Sequence, residues 1–125
     1  MHRLRVTILK ILNMKKTYLR FLSLVHALDS EPVSALDETS KHLLQIIVLQ
    51  HDQGKTLTVT DAMSMAHVAS PATIHRKLDA LREAGFVAQT FEGKNRRTKY
   101  LTPTALADAY FEKLGQVMAQ AASLS

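Results

Sequence analysis

Arg76 and Lys77 stand side by side in "SPATIHRKLDALREAGFV", residues 70–87, behind a serine, a threonine and a histidine. Residues of these types suit hydrogen bonding to a polyanion better than covalent chemistry. An arginine can donate two bonds to guanine O6 and N7, and small or hydroxylated neighbours can meet a thymine methyl or a phosphate oxygen. Helix geometry decides which of them are available. With Ile74 at the centre of a buried face, Leu78 and Leu81 fall within about 40° of it, whereas Ala72, Arg76 and Asp79 lie on the far side. Thr73 and His75 flank the buried face and Lys77 sits at its border. Ser70, Ala72 and Thr73 are small enough for close approach at the helix N-terminus, where free N–H groups and the macrodipole favour a phosphate.

A second cluster lies downstream. Lys94, Arg96, Arg97 and Lys99 crowd into "FEGKNRRTKY" with only Glu92 to oppose them. A hairpin tip needs no such charge in order to fold. A wing that carries it could lie on a nucleic-acid backbone or insert an arginine into a narrow minor groove.

Other chemistries find no support in the sequence. Among six histidines, His51 with Asp52, His67 and His75 are the nearest to a cluster, and their spacing matches no common metal-ligand motif. P-loop, G-x-G-x-x-G, G-x-S-x-G and H-E-x-x-H patterns are all missing. Asp37 and Glu38 are adjacent at an expected helix start, where they compensate the dipole. No enzyme and no cofactor are expected.

The elements that must position these residues follow from periodicity. Tyr18, Phe21, Leu22, Val25 and Leu28 step by three and four, which predicts a helix over 17–28 that ends near Asp29 ahead of Pro32. Leu36, Leu43, Ile46, Ile47 and Val48 make residues 36–50 a core helix stopped by Gly54. Within "LTVTDAMSMA", residues 57–66, Thr58 as N-cap and Asp61 form an acidic capping box for a short helix, and the three residues "HVA" lead to the next. Ser70 caps that helix, Pro71 starts it, and it runs out at Gly85. "FVAQT" and "TKYLT" around "FEGKNRR" predict a hairpin. Thr102 as cap and Pro103 as first residue predict a last helix along Tyr110, Leu114, Val117, Ala121 and Leu124.

Charge is placed along these elements unevenly. The chain of 125 residues carries net +5, made of +5 over residues 1–30, −3 over 31–54, +4 over 55–103 and −1 beyond. Such a length suits one domain, and an anionic partner is favoured over a cationic one. With no cysteine there is no disulfide framework or thiolate site, so a cytoplasmic location is expected. "MKKTYLRFLSLVHA" from Met14 has the lysine pair of a secretory signal, but Arg20, Ser23 and His26 interrupt its apolar run and a helix is the plainer reading. Met14 stays open as an alternative start, and no run is long enough to cross a bilayer.

"LTVTDAMSMAHVASPATIHRKLDALREAGFV" and "NRRTKYLTP" resemble the winged helix-turn-helix regulators, and among them the MarR-type (multiple antibiotic resistance regulator) family, over residues 36–115. By that resemblance Ser70, Thr73, His75 and Arg76 would face bases or phosphates, and Arg97 would be the wing arginine. Asn95 stands where the family usually has aspartate and Ala105 where it commonly has glycine. "TKYLT" is short for the family's second wing strand, and one helix after the wing is short for its dimerisation region.

The expectation is an α+β, mostly α, fold: a winged helix-turn-helix with flanking N- and C-terminal dimerisation helices. Residues 1–30 would form a basic helical segment, 31–103 the DNA-binding domain and 104–125 a C-terminal dimerisation helix. The expected function is sequence-specific binding of double-stranded DNA by a homodimeric transcriptional regulator, away from any membrane. Its DNA-binding residues would be Ser70, Ala72, Thr73, His75, Arg76, Lys77, Lys94, Asn95, Arg96, Arg97 and Lys99. The alternative is a winged-helix module that docks an acidic protein surface. Operator, regulated genes and any small-molecule effector are left open.

Overall fold

The computed structural model describes residues 2–29 and 33–123. Pro32, invoked above to end the first helix, and Leu124 of the expected terminal stripe lie outside the described residues. Among the described residues, five α-helices and a hairpin follow one another, with a short 3-10 helix Val33–Ala35 after the first: α1 His2–Leu28, α2 Glu38–Asp52, α3 Val59–Met63, α4 Pro71–Glu83, β1 Val87–Glu92, β2 Asn95–Pro103 and α5 Ala105–Ser123. The chain divides into two compact units, one made of α1 with α5 from Tyr110 onward, the other of residues 33–109.

In the second unit, local signals set most boundaries. Asp37 caps α2 by accepting the Ser40 N–H at 2.7 Å, so this helix starts at Glu38 and not at Leu36, which is buried in the bend before it. Thr58 and Asp61 exchange hydrogen bonds of 3.0 Å in the expected capping box, but α3 stops at Met63, and seven residues rather than three separate it from α4. Ser70 caps α4 and Pro71 opens it. Gly85, with φ +86°, ends that chain direction in the left-handed region where a side chain is disfavoured.

The core of this unit gathers Leu43, Leu44 and Ile47 of α2 with Ile74, Leu78 and Leu81 of α4, Phe86, and Leu101 of β2, each 1% exposed or less. The α4 stripe is the one its spacing predicts. Phe86 and Leu44 join it unannounced by periodicity. β1 and β2 pair antiparallel from Val87↔Pro103 through Thr90↔Tyr100, and a single bridge between Thr58 and Tyr100 ties the start of α3 to β2.

Two expectations about the hairpin are corrected. The strands run to Glu92 and from Asn95, so "NRR" belongs to β2 and Arg97 lies on a strand of nine residues, not at the tip. The turn itself is Gly93 and Lys94, and beyond Phe91 the register shifts to Glu92↔Asn95. Thr102 and Pro103 do not open the last helix. Thr102 pairs with Ala88, and Thr104 caps α5 by accepting the Ala107 N–H at 3.3 Å while donating to the Gly85 carbonyl at 2.6 Å.

The first unit is a long helix with a shorter one. α1 is helical from His2, well before the stripe that begins at Thr17. The Tyr110 hydroxyl donates to Asp29 at 3.0 Å, and Met14, Tyr18 and Phe21 of α1 with Met118 and Ala121 of α5 line an apolar groove of about 410 Å³. Among the described residues no helix is long and apolar enough to cross a membrane.

Candidate nucleic-acid interface

The exposed side of α4 is organised by short hydrogen bonds at its N-terminal end. The Ser70 hydroxyl receives the Thr73 N–H at 3.3 Å and lies 2.9 Å from the Thr73 hydroxyl. Arg76 then donates from Nη2 to Thr73 Oγ1 at 3.2 Å. Ser70, Thr73 and Arg76 therefore form one chain of contacts, with Ala72 exposed beside it. The guanidinium is drawn back toward the helix N-terminus, where the positive end of the dipole and unpaired N–H groups already favour an anion.

The other predicted α4 residues are engaged differently. His75 Nδ1 lies 3.5 Å from Asp79 Oδ2, and Asp79 also accepts from Arg82 at 3.3 Å, so this flank is partly neutralised. Lys77 turns to Asp37, the cap of α2, and pairs with it by Nζ and Oδ2. That bond to Lys77, with the Ser40 N–H, holds the Asp37 carboxyl at a pKa of about 2. From its neighbours in sequence Asp37 is expected only at a helix start, without a partner. Its partner lies 40 residues away on another helix.

The wing carries its charge along β2. Asn95 Oδ1 receives the Arg97 N–H at 3.0 Å, and its Nδ2 reaches Thr98 at 3.5 Å, so Asn95 shapes the strand's entry. Arg96 lies over the Phe91 ring, 5.2 Å from its centroid, an arrangement in which cation–π attraction holds the side chain against its own hairpin. The Tyr100 hydroxyl donates to Glu92 at 3.1 Å; that hydrogen bond to the carboxylate raises the phenol above its ordinary pKa and occupies the hairpin's acid. Lys94, Arg97 and Lys99 are exposed. Arg97 and Lys99 also line, with Thr58 and Asp61, a depression of about 410 Å³ where the wing meets the start of α3. Among the described residues no group of three or more His, Cys, Asp or Glu could hold a metal ion.

A capped helix after a turn, followed by a basic two-stranded wing, is the winged helix-turn-helix arrangement. The fold is that of MarR-type regulators. A structure of transcriptional regulator Tm0710 from Thermotoga maritima superposes with a TM-score of 0.59 at 13% identity, covering 96% of this chain and 75% of that one. An S. aureus MepR-DNA complex gives 0.55 at 15%, covering 93% and 84%, and MarR gives 0.54 at 18%, covering 89% and 79%. No family model and no curated protein matches the sequence.

Proposed function

We infer that this chain is a non-catalytic, sequence-specific double-stranded DNA-binding protein that regulates transcription as a homodimer. The observation that carries the reading is the Ser70, Thr73 and Arg76 arrangement on the exposed side of α4, in one compact unit with a wing whose Lys94, Arg97 and Lys99 are exposed. Arg76 and Thr73 would meet base edges in the major groove, Ser70 and Ala72 would admit a phosphate to the helix N-terminus, and the wing lysines and Arg97 would hold the flanking backbone. Lys77 would fix the angle of α4 through Asp37, and His75 would join the contacts only by leaving Asp79. The likeness to MepR, a protein crystallised with DNA, supports the same reading.

Regulation would be steric: a dimer seated on a near-palindrome, its two α4 helices about 34 Å apart, occludes a promoter. The test is selection of bound duplexes from genomic fragments, followed by anisotropy on the enriched site across a range of salt. Specific binding should weaken linearly in log salt and should fall with Arg76→Ala. A chain that shows no salt-dependent duplex binding would instead suit the docking of an acidic protein surface.

A further inference from the structure

Two opposite charges share the outward line of α4 without pairing. Arg76 and Asp79 lie about 200° and 140° round the helix from Ile74, and opposite charges three residues apart on one face ordinarily attract each other. Here Arg76 bonds back to Thr73 Oγ1 at 3.2 Å, toward the helix N-terminus. Asp79 is held from the flank instead: Arg82 Nη1 donates to its Oδ1 at 3.3 Å, and His75 Nδ1 lies 3.5 Å from its Oδ2. Both of these neighbours stand on one side, about 80° and 100° from Ile74, so the outward line is left clear. The Asp79 side chain stays 47% exposed. Each of its oxygens, engaged once, keeps a lone pair for a further donor.

We propose that Asp79 determines specificity for a cytosine, its carboxylate accepting the N4 amino group in the major groove on the base pair next to the one that Arg76 meets. This assignment rests on the DNA-binding reading above and adds to it a residue that selects by repulsion as well as by contact. Guanine shows a carboxylate two acceptors, thymine an acceptor and a methyl group, and adenine a donor beside an acceptor. Cytosine N4 alone offers a donor with no acceptor on the same base edge. Three residues of helix advance about 4.5 Å, close to the roughly 3.4 Å between stacked bases, so two side chains on one line address neighbouring pairs. Arg76 would take guanine O6 and N7, and Asp79 the cytosine beside it.

An acid on this line has a consequence that an ion pair steadying the helix does not. Close to a duplex it repels phosphates whatever the sequence, and only a correctly placed donor offsets that repulsion. Removing it should therefore raise affinity for DNA in general while lowering discrimination. A pair that merely stabilises α4 would leave base preference alone, since exposed pairs of this kind act on the helix and not on a groove. Arg82 and His75 act here as positioning residues, because they fix the carboxylate that makes the contact.

The test is anisotropy with the full chain on the duplex enriched from genomic fragments, on its single-pair replacements and on a random duplex. In the wild type one pair should favour cytosine about tenfold over each other base. Asp79→Ala should bind the random duplex about threefold or more tightly. It should also lose the cytosine preference while keeping the guanine preference that Arg76 supplies. Asp79→Asn goes further, because an amide matches adenine N6 and N7: preference at the same pair should move from cytosine to adenine. Circular dichroism checks that both variants keep their helices. Cytosine preference retained in either variant, no move to adenine in Asp79→Asn, or random-duplex affinity that does not rise in Asp79→Ala would each overturn the assignment. Duplex binding that depends on Arg76 but is unaltered at the Asp79 pair defeats this assignment alone. A wild type without salt-dependent duplex binding defeats the DNA reading, and this assignment with it.

Discussion

Arg76 donates from Nη2 to the Thr73 hydroxyl at 3.2 Å, one turn back along α4, and the same hydroxyl lies 2.9 Å from Ser70 Oγ. The residue proposed to read a base is thus aimed by its neighbour. Arg76→Ala should cost about 1 to 3 kcal/mol on the specific duplex and relax preference at one base pair. Thr73→Val, which keeps the shape and removes the hydroxyl, should cost about 1 kcal/mol. In a double-mutant cycle the two losses should not add, with a coupling of about 0.5 kcal/mol or more. Additive losses by anisotropy would mean that Thr73 does not position Arg76.

A different neighbour holds the other face of α4. Asp37 both caps α2 and pairs with Lys77, and its carboxyl sits at a pKa of about 2. An unfolded aspartate titrates near about 3.9, so the stability from this shift is complete above that pH and is lost as pH falls through about 2. Lys77→Met leaves the cap and removes the first cause of the shift. Urea titrations should then show the variant losing less stability than the wild type between about pH 4 and 2. At neutral pH the pair is half exposed and screened, so Lys77→Met should cost under about 1 kcal/mol, while Asp37→Ala, which also removes the cap, should cost about 1 to 2 kcal/mol.

The wing separates into residues that bind outward and residues that bind the hairpin. Lys94, at the turn, should act on any sequence: Lys94→Ala should weaken specific and random duplexes alike and reduce the slope of log affinity against log salt by about one unit. Arg96 is held on Phe91. Phe91→Ala should leave that slope unchanged and raise backbone amide exchange in β1 and β2. A smaller salt slope in Phe91→Ala would show that the ring serves contact with DNA.

Much of this architecture is legible because its signals are local. Thr58 with Asp61, Ser70 with Pro71, and the Ile74, Leu78 and Leu81 stripe all lie within a few turns of one another, and each is found where spacing puts it. Thr102 and Pro103 carry the same cap signature as Ser70 and Pro71, yet pairing with Ala88 and Val87 draws them into β2, and Thr104 takes over as cap. Here a long-range ladder outweighs a local preference. The candidate site divides in the same way. That Arg76 lies opposite the buried stripe follows from periodicity alone, whereas the Lys77 pair with Asp37 and the depression that Arg97 and Asp61 both line depend on elements far apart in sequence.

The basic start of α1 offers two roles that a single truncation separates. Removing residues 1–13 takes away Arg3, Arg5 and Lys10 together with the exposed apolar residues Leu4, Ile8 and Ile11. If the three cations lie along DNA, the salt slope should fall by up to about 2.7 for three lost phosphate contacts per chain. If the apolar side chains of this segment instead pack in a homodimer, the slope stays as it is, the dimer dissociates at lower dilution, and the melting temperature drops. Leu114→Asp with Val117→Asp on α5 should also yield monomers if the terminal helices share one interface. Base preference should be unchanged in the truncated protein, because Arg76 and Thr73 remain. Measuring slope, melting temperature and sedimentation on that one protein decides between the roles, and a reduced slope with an unweakened dimer would assign the segment to DNA instead.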